Sequence, residues 1–149
     1  MKEQKTSVSN FDLWSLINKI NHSISLIRQR ELSPYNIATQ QLFLLRTIQS
    51  LGSKATMLKL ANEIDREIGV VSKQTIVLEK DGLIKRIKDA PKSRRLRIEL
   101  TEKGLDMITI PRESKTIDEA LSFLTEEERE QLHSSLNKVL IALKEHTSV

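Results

Sequence analysis

No cysteine occurs in the 149 residues, so the chain can hold no disulfide or thiolate metal ligand and cannot sense oxidants through a thiol. Aromatic residues are only 3% of the chain, and the hydrophobic fraction of 38% is modest. Four glycines form no phosphate-cradling loop. The three histidines, His22, His133 and His146, accompany no nucleophile and no metal motif. Glu126, Glu130 and His133 do share one helical face, but such trios are ordinary on solvated helices. A protein that is not an enzyme is expected, with no catalytic residue, no metal and no cofactor. Apolar runs are short, four residues in LFLL at 42–45 and five in VLIAL at 139–143, against the roughly 20 that a membrane helix needs. The opening MKEQKTSVSN lacks the apolar segment of a signal peptide. The expectation is a soluble, cytoplasmic protein with no membrane partner.

What the chain does have is charge, unevenly placed. Its net charge is +4 and its pI is near 9.4. The stretch IKRIKDAPKSRRLRIELT, 84–101, holds seven basic side chains against Asp89 and Glu99, more excess positive charge than the whole chain carries. Residues 113–130 hold seven acids against Lys115 and Arg129. Such asymmetry focuses a field that attracts phosphate to one face without repelling it elsewhere.

At this length one domain with a real core is expected. Residues 1–9 are polar and expected to be loose. From Phe11 a helical pattern runs through Leu13, Leu16, Ile17, Ile20, Ile24 and Ile27, with Asn10 as N-cap. It stops before Ser33-Pro34, because the residue before proline avoids helical dihedrals. A second helix over about 37–51 carries Leu42, Leu45, Ile48 and Leu51 and ends at Gly52. Thr56 caps a short helix, Met57 to Ile64, and after a turn another helix runs from about Glu67 to Asp81-Gly82. The period then changes to two. Ile84–Lys88 and the Leu96, Ile98, Leu100 stretch make a β-hairpin around the 89–93 turn, with Ile87, Leu96, Ile98 and Leu100 anchoring it to the core. Thr101-Glu102-Lys103 opens a long helix, interrupted near Pro111, which suits a new first turn. The chain closes on an amphipathic helix that Thr125 and Glu128 cap reciprocally, with Leu132, Leu136, Val139, Leu140 and Leu143 in one stripe. The predicted fold class is mainly α with a small β-hairpin (α+β): a winged helix-turn-helix flanked by N- and C-terminal helices.

In a helix-turn-helix the second helix enters the DNA major groove. On a wheel of 67–81, Val71, Gln74, Thr75 and Leu78 face inward, while Gly69, Ser72, Lys73, Ile76 and Lys80 face out. Ser72 and Lys73 suit base edges or phosphates; Ile76 and Val77 are apolar on an outward face. The hairpin tip, with Lys92, Arg94 and Arg95, can reach phosphates or a narrow minor groove. Expected contacts to double-stranded DNA are Thr56, Gly69, Ser72, Lys73, Ile76, Lys88, Lys92, Arg94, Arg95 and Arg97. As a bare hairpin, the same charges could be a soluble sheet edge; directly after a helix-turn-helix they read as a DNA surface.

The segment LANEIDREIGVVSKQTIVLEKDGLIKRIKDAPKSRRLRIELTEKG, 60–104, resembles the MarR (multiple antibiotic resistance regulator) family without a gap. LA at 60–61, LEKDGLIKR at 78–86 and LTEKG at 100–104 carry most of the likeness, and TEEEREQL at 125–132 extends it. The resemblance implies one MarR-like domain, 1–149, with a winged helix-turn-helix at 37–101 and dimerisation helices at 1–32 and 102–149. It places Arg94 on the family's wing arginine. Lys92 stands where the family has the acid that holds this arginine, leaving Asp89 or Glu99 as replacements.

Apolar faces at 11–27 and 117–143 exceed what the winged-helix core needs, so a homodimer is expected, and the family resemblance implies the same. By the same analogy a small-molecule effector would lie near Trp14, Ile17, His22 and Arg46. The expected function is that of a sequence-specific transcriptional regulator, a ligand-responsive repressor on a pseudo-palindromic operator. The competing class is a protein-interaction module that uses Ile76 and Val77, with weak or no specific DNA binding.

Overall fold

The computed structural model describes residues 7–147. Of the polar N-terminal segment, residues 1–6 lie outside the described residues. Helix α1, Asn10–Leu32, starts one residue earlier than its apolar pattern suggests. Ser9, not Asn10, is the cap: its Oγ accepts from the Asp12 amide at 3.1 Å, and the Asp12 carboxylate accepts from the Ser9 amide at 3.0 Å. Two amide donors satisfied reciprocally are worth more than one asparagine cap. The Ser9 hydroxyl, donating to the Asp12 carboxylate at 2.6 Å, and then the Ser9 amide hold that carboxyl below its ordinary range. The helix ends at Leu32, before a 3-10 turn at Ser33–Tyr35 that Asn36 closes in the left-handed region, φ 51°. That reversal delays the next helix: α2 is Thr39–Leu51 rather than beginning at 37.

A short α3, Met57–Glu63, and α4, Ile68–Lys80, form the helix-turn-helix. Thr56 caps α3 as expected, while Glu67, expected inside α4, is its N-cap residue. Asp65 takes the tight turn between the helices at φ 51°, a conformation that Asp tolerates better than most residues. Strands β1, Ile84–Lys88, and β2, Leu96–Leu100, pair antiparallel from Ile84–Leu100 to Lys88–Leu96. Ile84 and Ile98 are buried, with Leu96 and Leu100 half-buried on the same face, whereas Ile87, expected as an anchor, pairs with Arg97 on the opposite face of the hairpin and is half-buried there. The Ile98 amide donates to the Ala55 carbonyl at 2.9 Å, and Thr56 bridges Arg97. The wing is therefore stitched by backbone to the entrance of α3.

Helix α5, Glu102–Ile108, explains the LTEKG motif physically. The Thr101 hydroxyl accepts from the Gly104 amide at 3.1 Å and donates to the Gly82 carbonyl at 2.6 Å. This draws α5 so close to the hairpin's start that a Cβ at Gly104 would overlap the Leu83 carbonyl. Only glycine fits. The helix is interrupted near Pro111 as expected, but earlier and for longer: α5 stops at Ile108, Pro111 sits in a loop rather than a first turn, and α6, Lys115–Leu121, is capped by Ser114. Proline has no N–H and disfavours helical dihedrals at Ile110, and in the loop the Ile110 carbonyl accepts from the Arg46 guanidinium and the Pro111 carbonyl from Arg28 at 3.5 Å.

The chain divides into two units, one ending at Arg112 and one beginning at Glu113. The core of the first is aliphatic, centred on Leu32, Leu42, Leu45, Leu60, Val71, Leu78, Ile84 and Ile98. All five aromatic side chains, Phe11, Trp14, Tyr35, Phe43 and Phe123, are exposed. The second unit holds α6 and α7, Glu126–Thr147, the latter opened by the Thr125–Glu128 capping box. No residue of α7 is buried, and its stripe of Leu132, Leu136, Val139, Leu140 and Leu143 is exposed.

Candidate nucleic-acid interface

Helix α4 buries Val71, Thr75 and Leu78. Gln74 is half-buried, and its amide donates to Gln40 Oε1 at 3.5 Å. The opposite face presents Gly69, Lys73, Ile76 and Lys80 to solvent, with Ser72 half-buried at its flank. Ile68, Val70 and Val77 are exposed beside them.

The wing extends this surface. Its loop is shaped by Ser93, whose amide donates to the Ala90 carbonyl at 2.9 Å and whose hydroxyl accepts from the Arg95 amide at 3.1 Å. Lys88, Lys92, Arg94 and Arg95 are exposed, and among the described residues none of the four forms an ion pair. Arg97 differs. It is half-buried, its Nη2 lies 3.1 Å from Glu99, and its Nε lies 4.0 Å from Asp89, too long for a hydrogen bond. The two acids able to replace the family's wing acid thus flank Arg97 and leave Arg94 unrestrained at the tip. Thr56 is half-buried, with its hydroxyl spent on the Lys59 amide at 3.4 Å.

A residue pair that sequence reasoning missed ties wing to helix. Arg86 on β1 donates from Nε to Glu79 Oε2 at 2.6 Å and from its backbone amide to Glu79 Oε1 at 3.3 Å. The Arg86 side chain, by that hydrogen bond, holds the Glu79 carboxyl below its ordinary range. Spacing of seven across a turn gives no periodic signal, and only the geometry of the turn at Asp81-Gly82 brings the two together.

The expected effector residues are not gathered. Arg46 lines a cavity of about 350 Å³ with Phe43, Thr47, Ser50, Glu63 and Arg112. Trp14, Ile17 and His22 lie on the exposed face of α1, with Trp14 packed at 5.9 Å against Phe11 instead. Among the described residues no group of three or more His, Asp or Glu side chains could hold a metal ion, and no helix is long and apolar enough to cross a membrane.

No family model and no curated protein matches the chain; its likeness is to solved structures. The organohalide-sensing transcriptional regulator RdhR, solved with 2,4-dichlorophenol bound, is 30% identical over 93% of this chain and 88% of its own, with a TM-score of 0.77. The chain belongs to the MarR family. MepR of S. aureus, solved with DNA, is 28% identical over 87% of this MarR-family chain and 96% of its own, again at a TM-score of 0.77. A mutant of MarR itself from E. coli, solved with operator DNA, shares the fold at a TM-score of 0.77 and 23% identity, covering 86% of this chain and 93% of its own. The expected α+β winged-helix class holds for this MarR-family chain, and its relatives are transcriptional regulators, not enzymes.

Proposed function

We propose that this MarR-family protein is a cytoplasmic homodimer that binds double-stranded DNA sequence-specifically and represses transcription until a small-molecule effector releases it. The observation that carries the DNA reading is the wing: Lys92, Arg94 and Arg95 exposed at its tip, on a hairpin locked to α4 through Glu79–Arg86. A cationic tip held rigidly beside a recognition helix suits phosphate and minor-groove contact, and Arg94, which no acid restrains, is its principal contact. Lys73 and Ser72 then face base edges. Arg97, paired with Glu99, shapes the wing more than it touches DNA.

Dimerisation rests on the exposed stripes of α1 (Leu13, Leu16, Ile17, Ile20) and α7 (Leu136, Val139, Leu140, Leu143), which a two-fold partner would cover. Two recognition helices would then meet major grooves about 34–36 Å apart and read a pseudo-palindrome. The cavity lined by Phe43, Arg46, Glu63 and Arg112 is the effector site that the chain's own geometry favours over one at Trp14 and His22; the dichlorophenol bound to RdhR supports a small aromatic ligand. Exposed Ile76 and Val77 favour a second reading, a protein-interaction module. A gel-shift titration against the protein's own upstream region at two salt concentrations separates the two. Binding that weakens steeply with salt is expected, and no binding at low salt overturns the DNA reading.

A further inference from the structure

The outward face of α4 is poor in hydrogen-bonding groups. Gln74, the one side chain on this helix able to pair bidentately with adenine, is half-buried and bonded to Gln40. Glu79, the one acid on the helix that could accept from cytosine, is held by Arg86. No arginine or asparagine lies in α4. What remains for base edges is Ser72, Lys73 and Lys80, interleaved with apolar groups: Ile76 is 49% exposed and Val77 48%.

Ile76 lies one turn after Lys73 and Ser72 and one turn before Lys80, at the centre of the outward face, with Val77 beside it. Among base-edge groups in the major groove only the thymine C5-methyl takes an apolar side chain. Both residues are β-branched and hold essentially one χ1 rotamer in a helix, so their methyl groups are presented in a fixed direction at little entropic cost. Lysine charges on either side would keep the apolar spot against the duplex. Resting on the DNA-binding reading above, we infer that Ile76, assisted by Val77, selects the operator through thymine methyl groups, and that these contacts rather than bidentate hydrogen bonds discriminate among bases at the centre of α4.

The test starts from a duplex that the full-length protein enriches from a random-sequence pool. Each thymine is replaced in turn by deoxyuridine, which removes only the methyl group. At one or two positions in each half-site the wild-type protein should lose about fourfold in affinity, the transfer free energy of one methyl-sized group. Ile76→Ala, on an exposed face and checked by circular dichroism, should bind the thymine duplex more weakly and lose its sensitivity to deoxyuridine at one of those positions. Such a double-mutant cycle separates direct contact from an effect of the base change on DNA shape. Binding of the enriched duplex with deoxyuridine neutral at every position overturns this inference and leaves DNA binding standing. Methyl sensitivity that persists unchanged in both Ile76→Ala and Val77→Ala also overturns it. Failure to enrich any duplex at low salt overturns the DNA reading itself, and this inference with it.

Discussion

The same kind of amphipathic pattern has opposite fates in α2 and α7. In α2 the stripe of Leu42, Leu45 and Ile48 disappears into the core; in α7 the stripe of Leu136, Val139 and Leu143 buries nothing. Periodicity says that a helix has an apolar face and is silent on who covers it. The winged-helix unit closes its core from within the chain. The stripes of α1 and α7 are left exposed, and a second copy is the occupant we propose.

The comparison breaks first at the core. Leu45→Ala should cost about 2–5 kcal/mol of stability, the range for a fully buried leucine, read as a lower urea midpoint; a cost under 1 kcal/mol would mean that the unit is looser than its packing implies. Gly104→Ala should cost about 1–3 kcal/mol or more by forcing α5 off the Leu83 carbonyl, also by urea unfolding. On α7, Leu140→Glu should leave the secondary structure by circular dichroism unchanged and abolish self-association in sedimentation experiments; a variant that stays dimeric would place the interface elsewhere. Arg94→Ala should weaken DNA binding roughly tenfold, the scale of one charged hydrogen bond, while dimerisation is untouched.

The smallest effect concerns the tie between wing and helix. Glu79 has its carboxyl lowered by Arg86, so the pair's contribution is complete above the ordinary carboxyl range and is lost as pH falls through the lowered value. Because both side chains keep about a third of their exposure, 28% for Arg86 and 35% for Glu79, the pair is worth about 0–1 kcal/mol. Glu79→Gln should therefore shift the melting temperature by a degree or few and flatten its acid dependence.

Much of this was legible before any coordinates. Thr56, Thr125 and Gly82 mark helix and turn boundaries by local bonding, and the switch from helical to alternating periodicity at 84 locates the hairpin. Where reading failed, distant partners decided. Pro111 looked like the start of a helix, but Arg28 and Arg46 claim the backbone carbonyls around it. The capping of α1 turned on a choice between adjacent residues, Ser9 and Asn10, that only the reciprocal bond with Asp12 resolves.

The absence of aromatic rings from the core has an experimental consequence. The single tryptophan, Trp14, is 62% exposed on α1, among residues that a partner would cover and far along the helix from the buried Leu32. Its fluorescence will therefore report the surroundings of the α1 face and will be nearly blind to melting of the winged-helix core. Dilution should shift the emission while circular dichroism holds steady, so that an optical signal already present in the chain separates assembly from folding without any label.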